Sequence, residues 1–172
     1  LALPSDPVQL ESLRLQVLKG AYCLRDRTSG SFKNENGTGI NIVSVGAMIP
    51  EASEASDILF NEGVQANVIN VTGPGPLYRH YRNLVKESVE KGYGLSEGIA
   101  SLLPGHITGA PILTLADAHP HSLSWVGGAI GSRTISLGVD DWGQSGSRED
   151  LYREYGTDVS TIVNAALSSL EI

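Results

Sequence analysis

Ile40-Asn41-Ile42-Val43-Ser44-Val45-Gly46 is the stretch that decides the fold. β-Branched residues dominate it, no charge interrupts it, and a glycine closes it, as in a strand buried on both faces. The period then changes. Pro50 suits the first position of a helix, Ala52, Ala55, Ile58, Leu59 and Phe60 supply its apolar face, and Gly63 ends the run. The alternation repeats downstream. Val68-Ile69-Asn70-Val71 reads as the next strand and stops at Thr72-Gly73-Pro74-Gly75-Pro76, a plain turn. Residues 77–91 and Leu95–Leu103 read as helices, and Pro111–Ala116 as a third strand. Ser122–Gly131 is a helix of small residues, and Thr134–Val139 a fourth strand. Ser147-Arg148-Glu149-Asp150 resembles a capping box ahead of Leu151, Tyr152 and Tyr155. Asp158 or Thr157 then caps a last helix carrying Val159, Ile162, Val163, Ala166, Leu167 and Leu170.

Upstream of the deciding stretch, residues 8–19 predict an amphipathic helix ending at Gly20, and Ala21–Leu24 a short strand. Arg25–Gly39, charged and rich in Gly, Ser and Asn, reads as a surface loop. Strands alternating with helices predict right-handed crossovers and a mainly parallel sheet covered on both faces. The fold class is α/β, a three-layer α/β/α sandwich.

The chain has 172 residues, enough for one domain with an ordinary core. Its net charge of −7 argues against a nucleic-acid partner, which would need a basic stripe. No run of about 18 apolar residues exists, so no membrane span is expected. The N-terminus lacks the layout of a secretory signal, which makes a cytoplasmic address the expectation. Cys23 is the single cysteine, excludes an internal disulfide, and reads as a small buried hydrophobe between Tyr22 and Leu24. The one methionine is Met48, and the opening Leu1-Ala2-Leu3-Pro4-Ser5-Asp6-Pro7 reads as extended linker. We therefore expect residues 1–19 to be linker and leading helix, and 20–172 one domain cut from a longer chain.

Three strand ends carry polar loops: Gly46–Pro50, Asp117–His121 and Asp140–Gly146. Open α/β sheets place their functional groups there. Asp117, His119 and His121 offer alternate residues of one loop, fewer than a metal site asks for, so a polar surface or interface loop is the reading. Gly127-Gly128-Ala129-Ile130-Gly131 lies within or after a helix rather than opening one behind a strand, which fails the dinucleotide pattern and points to close helix packing. Pro74 and Pro76 remove amide donors from the Thr72–Pro76 segment, which argues against an anion site. Arg79, His80 and Arg82 read as a solvated face, and Ser145 has no Ser-His-Asp setting. The residues alone describe an acidic α/β/α domain with decorated strand ends and no self-sufficient active site.

The second half is more specific than these small motifs. Ala116-Asp117-Ala118-His119-Pro120-His121-Ser122-Leu123-Ser124-Trp125 leads through Gly131-Ser132-Arg133 into Gly138-Val139-Asp140-Asp141-Trp142-Gly143-Gln144-Ser145. Arg148-Glu149-Asp150-Leu151, Tyr155-Gly156-Thr157-Asp158 and Ile162-Val163-Asn164-Ala165-Ala166-Leu167 follow. This order resembles the C-terminal domain of transketolases and of homodimeric pyruvate dehydrogenase E1 components. Lys19-Gly20-Ala21-Tyr22, Val45-Gly46-Ala47-Met48-Ile49 and Val68-Ile69-Asn70-Val71-Thr72 resemble the E1 branch, whereas Gly73-Pro74-Gly75-Pro76 departs from its pattern.

The resemblance implies a mixed, mainly parallel five-stranded sheet with one antiparallel strand, for which Ala21–Leu24 is the candidate. It implies a parent enzyme that uses thiamine diphosphate and Mg2+ to decarboxylate pyruvate and passes the acyl unit to a lipoyl carrier. Partners would be the remaining domains, a second subunit and a lipoyl-bearing acyltransferase. The cofactor motif Gly-Asp-Gly is absent from this sequence, so the fragment is expected to bind no cofactor and to be inactive alone. No residue is assigned to catalysis. His119, Asp140, Asp141, Trp142 and Gln144 are candidates for interface or entrance contacts, with Trp142 expected to be partly buried within the domain itself. The alternatives are a transketolase C-terminal domain and a free-standing binding or regulatory module.

Overall fold

The computed structural model describes residues 3–28, 38–99 and 101–171. The elements run α1 (Pro7–Lys19), β1 (Ala21–Arg25), β2 (Gly39–Val45), α2 (Ile49–Asn61), β3 (Gln65–Val71), α3 (Pro74–Lys91), α4 (Ser96–Ile99), β4 (Ile112–Ala116), α5 (His121–Ile130), β5 (Thr134–Leu137), α6 (Arg148–Glu154) and α7 (Val159–Leu170). One five-stranded sheet has the order β1-β3-β2-β4-β5. β2 pairs in parallel with both β3 and β4, β4 with β5, and β1 runs antiparallel to β3. The expected mixed sheet and its antiparallel member are both present. Of the Arg25–Gly39 segment read as a loop, Arg25 ends β1, Gly39 opens β2, and 29–37 lie outside the described residues.

Alternation along each strand sends side chains to two cores. On one face Ile40, Ile42, Leu113 and Leu115 meet Ala52, Ala55 and Leu59 of α2 and Ile162 and Ala166 of α7. On the other, Val43, Ile69 and Ile112 meet Leu77 of α3 and Leu123 and Val126 of α5. Each fully buried Ile or Leu contributes about 2 kcal/mol of transfer free energy, so the strands hold the domain together from within. Gly127 explains the close seating of α5: a Cβ there would stand 1.8 Å from Oγ1 of Thr134. That is helix packing, as its sequence context suggested.

Two buried asparagines pin the opposite rim. Asn41 and Asn67 are register partners on β2 and β3 and are both inaccessible. Asn41 donates to the Ile107 carbonyl at 3.0 Å and accepts the Ile107 amide at 2.7 Å, while Asn67 donates to the Gly105 carbonyl at 2.7 Å. Satisfying both ends of such amides is what makes them tolerable in a core.

Four boundaries differ from the sequence reading. α1 forms with Asp6 as its cap, but none of its residues is buried, and Val8 and Leu18 are well exposed. Its apolar positions 8, 10, 13, 15 and 17 step mostly by two, which spreads them round a helix rather than along one stripe. The Pro74–Pro76 turn is the first turn of α3, where proline costs no hydrogen bond. The helix expected over Leu95–Leu103 is confined to Ser96–Ile99. The Ser101 and Leu102 amides bond to Gly98 and Ile99, three residues back, and Pro104 blocks continuation. β5 stops at Leu137 because the Val139 amide donates to the Ala118 carbonyl at 3.0 Å instead of continuing the ladder.

Candidate functional site

β2 and β4 lie side by side, yet the chain leaving β2 turns to α2 on one face and the chain leaving β4 turns to α5 on the other. Such divergence opens a crevice at the carboxyl ends of adjacent parallel strands, the usual ligand position in open α/β sheets. The loop after β5 closes against it. A Cβ on Gly138 would lie 2.4 Å from the Ala118 carbonyl oxygen, so only glycine lets the 117–120 and 138–147 loops meet.

The candidates from sequence separate into three places. His119 is exposed, its ring edge-on to that of His121 at 4.8 Å, and its Nδ1 accepts the His121 amide at 3.3 Å. Asp140, Asp141 and Trp142 line a shallow hollow of about 310 Å³. Gln144 instead lines a cleft of about 450 Å³ with Asp117, Val139, Arg148, Leu151, Tyr152 and Tyr155. Among the described residues no group of three or more His, Cys, Asp or Glu could hold a metal ion.

Trp142 corrects an expectation. It is 90% exposed, not partly buried. The backbone explains this. Asp141 Oδ1 accepts the Trp142 amide at 2.7 Å, Tyr155 donates its hydroxyl to the Trp142 carbonyl at 2.9 Å, and the Gln144 amide donates to the same hydroxyl at 2.9 Å. The loop is held by its main chain, and the indole is left projecting.

Sequence reasoning missed Glu51, Arg148, Tyr152 and Tyr155 as members of this edge. Glu51 is 8% exposed, and its Oε2 is buried with no hydrogen-bond partner. A second hollow of about 300 Å³ is lined by Glu51, Arg148, Glu149, Tyr152, Arg153 and Asp158, so Arg148 and Tyr152 form the wall common to both cavities. The Tyr152 hydroxyl is pushed above its ordinary range by burial, then by the charges of Glu51 and Asp117, against the opposing Arg148. Arg148 and Tyr152 stand four apart on α6, but Glu51 comes from α2, and nothing in the spacing along the chain announces that it joins them. Of the patch read as solvated, Arg79 and Arg82 are exposed, but His80 is half-buried beside Ser101, its Nε2 at 3.1 Å from the hydroxyl. Burial and then Lys19 hold its pKa below the usual value.

The sequence between β1 and the cap of α7 decides the family. Residues 20–158 match the transketolase-like TK C-terminal domain. The chain belongs to that family. As a transketolase-like C-terminal domain it is 29% identical, over 95% of its length, to the pyruvate dehydrogenase E1 component of Mycolicibacterium smegmatis. It is 26% identical over 88% of its length to the chloroplastic transketolase of Spinacia oleracea. The chain spans 17% of the length of each of these relatives. Its fold is shared with the transketolase of Campylobacter jejuni at a TM-score of 0.57 and 20% identity, over 88% of this chain and 19% of that one.

Proposed function

We propose that this transketolase-like domain serves as the C-terminal, non-catalytic part of a thiamine-diphosphate enzyme of the pyruvate dehydrogenase E1 kind. The parent would decarboxylate pyruvate and pass the acyl unit to a lipoyl carrier on a partner acyltransferase. One observation carries the docking role: Trp142, the largest side-chain type, stands 90% exposed on a loop whose backbone is fixed by three hydrogen bonds. A fixed loop presenting an aromatic anchor has the anatomy of an interface centre, where Trp is enriched and water is excluded on association. Asp140 and Asp141, which share the Trp142 hollow, would form the polar rim of an interface with a neighbouring domain or a second subunit, and Gln144 and His119, in separate places on the same edge, would extend it.

The cofactor does not fit this chain's own residues. A diphosphate–Mg2+ group needs clustered oxygen ligands, and the described residues offer no such carboxylate group, nor does the sequence hold Gly-Asp-Gly. Thiamine diphosphate and Mg2+ would belong to the remaining domains, and the side chains described here would serve docking rather than chemistry.

The similarity to the E1 component, together with Lys19-Gly20-Ala21-Tyr22, favours pyruvate; similarity to a chloroplastic transketolase keeps ketol transfer between sugar phosphates as the second reading. The full polypeptide, supplied with thiamine diphosphate and Mg2+, decides between them. Pyruvate-dependent reduction of an electron-accepting dye supports the first, and cleavage of a ketose phosphate without pyruvate turnover overturns it. In the same polypeptide Trp142→Ala should weaken subunit association or turnover while leaving the domain folded. Unchanged assembly and turnover would remove the docking role.

A further inference from the structure

The cavity wall shared by Arg148 and Tyr152 brings an acid and a base, Glu51 and Arg148, to one space without an ion pair between them. Of the other charged groups around it, Asp158 binds Ser160 and Thr161 and Arg153 lies 3.9 Å from Asp150, while Glu149 adds an exposed carboxylate to the rim of the same hollow. Glu51 is different. The residue is more than nine-tenths buried, its Oε2 is buried and receives no hydrogen bond, and it lines the 300 Å³ hollow. A buried carboxylate oxygen without a donor is costly to keep. Across the same hollow Arg148 has no carboxylate in ion-pair range among the described residues, and its guanidinium lies 5.8 Å from the centre of the Tyr152 ring. Glu51 and Arg148 thus face one space without pairing with each other.

An acid and a base held apart in one cavity complement a molecule that carries both charges. We propose that this cleft is a binding site for a small zwitterion of the α-amino acid class. Its ammonium would approach Glu51, with Asp117 in the adjoining cleft adding negative field, and its carboxylate would pair with Arg148. Glu51 reaches such a donor by turning about its terminal torsion, which is broad and weakly restrained. The side chain would lie in the 450 Å³ cleft against Val139, Leu151, Tyr152 and Tyr155, an apolar and aromatic lining that suits a ring. Both volumes together fall in the range of about 300–1,000 Å³ found for small-molecule sites. The cleft lies at the carboxyl edge of the sheet, where Asp117 follows β4 and Val139 follows β5, and it is independent of the docking role of Trp142.

The test uses the full polypeptide and three probes: L-phenylalanine, 2-phenylethylamine, which lacks the carboxylate, and 3-phenylpropionate, which lacks the ammonium. Isothermal titration should give L-phenylalanine the lowest Kd. Glu51→Gln should raise the Kd of L-phenylalanine and of the amine by about tenfold and leave the acid unchanged. Arg148→Met should do the reverse, weakening L-phenylalanine and the acid by about tenfold and sparing the amine. Arg148 is exposed, so its variant keeps the test alive should Glu51→Gln fail to fold. L-Phenylalanine binding no tighter than about 10 mM, or equal binding by wild type and Arg148→Met, overturns the proposal. So does saturation by ammonium chloride alone that L-phenylalanine does not displace.

Discussion

The Tyr155 hydroxyl donates to the carbonyl of Trp142 at 2.9 Å, thirteen positions earlier, and holds the 142–144 loop against the start of the turn before α7. The same oxygen accepts the Gln144 amide at 2.9 Å, so one hydroxyl satisfies both directions of a loop that has no strand to pair with. Tyr155→Phe removes both bonds and leaves the ring in place. Both freed groups can turn to water, so the loss should be about 1 kcal/mol, or roughly 2–4 °C in Tm. Hydrogen exchange should quicken at Trp142 and Gln144 and stay unchanged in β2 and β4. Slow exchange at Gln144 in the variant would show that the loop is fixed by other means.

Gly127→Ala places a methyl 1.8 Å from Thr134 Oγ1 and 2.6 Å from Thr134 Cβ, where α5 meets β5. Overpacking of this kind costs about 1–3 kcal/mol. Adding Thr134→Ala should recover part of that loss, a coupling that urea denaturation of the single and double variants measures directly.

The Cys23 thiol is pushed up to about 11, by burial first and by the Asp26 carboxylate second, against a hydrogen bond from the Arg25 backbone. Its thiolate population at pH 8 is therefore on the order of 100-fold below that of a free cysteine. Alkylation by iodoacetamide in the folded protein should be slower by about that factor and reach the ordinary rate in denaturant. Rapid labelling of native protein would contradict the burial.

Asp158 caps α7 through the Thr161 amide. Burial raises its pKa, but hydrogen bonds from Ser160 and Thr161 outweigh that effect and hold it below the usual carboxylate range. A depressed folded-state pKa stabilises the protein above the unfolded value and loses that contribution as pH falls through the folded one. Asp158→Ala should cost about 1 kcal/mol near neutrality, and Asp158→Asn less, since asparagine also caps. The gap between wild type and Asp158→Ala should shrink as the pH drops below about 4.

The sheet was legible because Ile40–Val45, Val68–Val71 and Pro111–Ala116 carry a local signal, β-branched runs with stops, that the core then rewards. Capping by Ser147 and Asp158 was legible for the same reason, since a cap acts within three residues. The edge site was not. Glu51 in the first turn of α2 looks like any surface acid beside Ala52 and Ser53, and its burial goes with the packing of α2 against α7, some hundred positions away. Trp142 misled because an indole in water is costly by area, but a loop without a covering helix has nowhere to bury it. For α1 the helix and its Gly20 stop were legible, and only the buried apolar face expected of it is missing.

Asn41 and Asn67 weld the amino-terminal rim of the sheet to the 105–107 connection from within the core, whereas the loops of the opposite rim meet through the Gly138 approach and the exposed Tyr155 hydroxyl. The two rims therefore answer to different pressures. Variation at the welded rim is felt as folding yield, and variation among the projecting side chains of the open rim, away from Gly138 and Tyr155, leaves the scaffold in place. A lineage could exchange the residues around Trp142 and Arg148 and so redirect the domain to new company without rebuilding it.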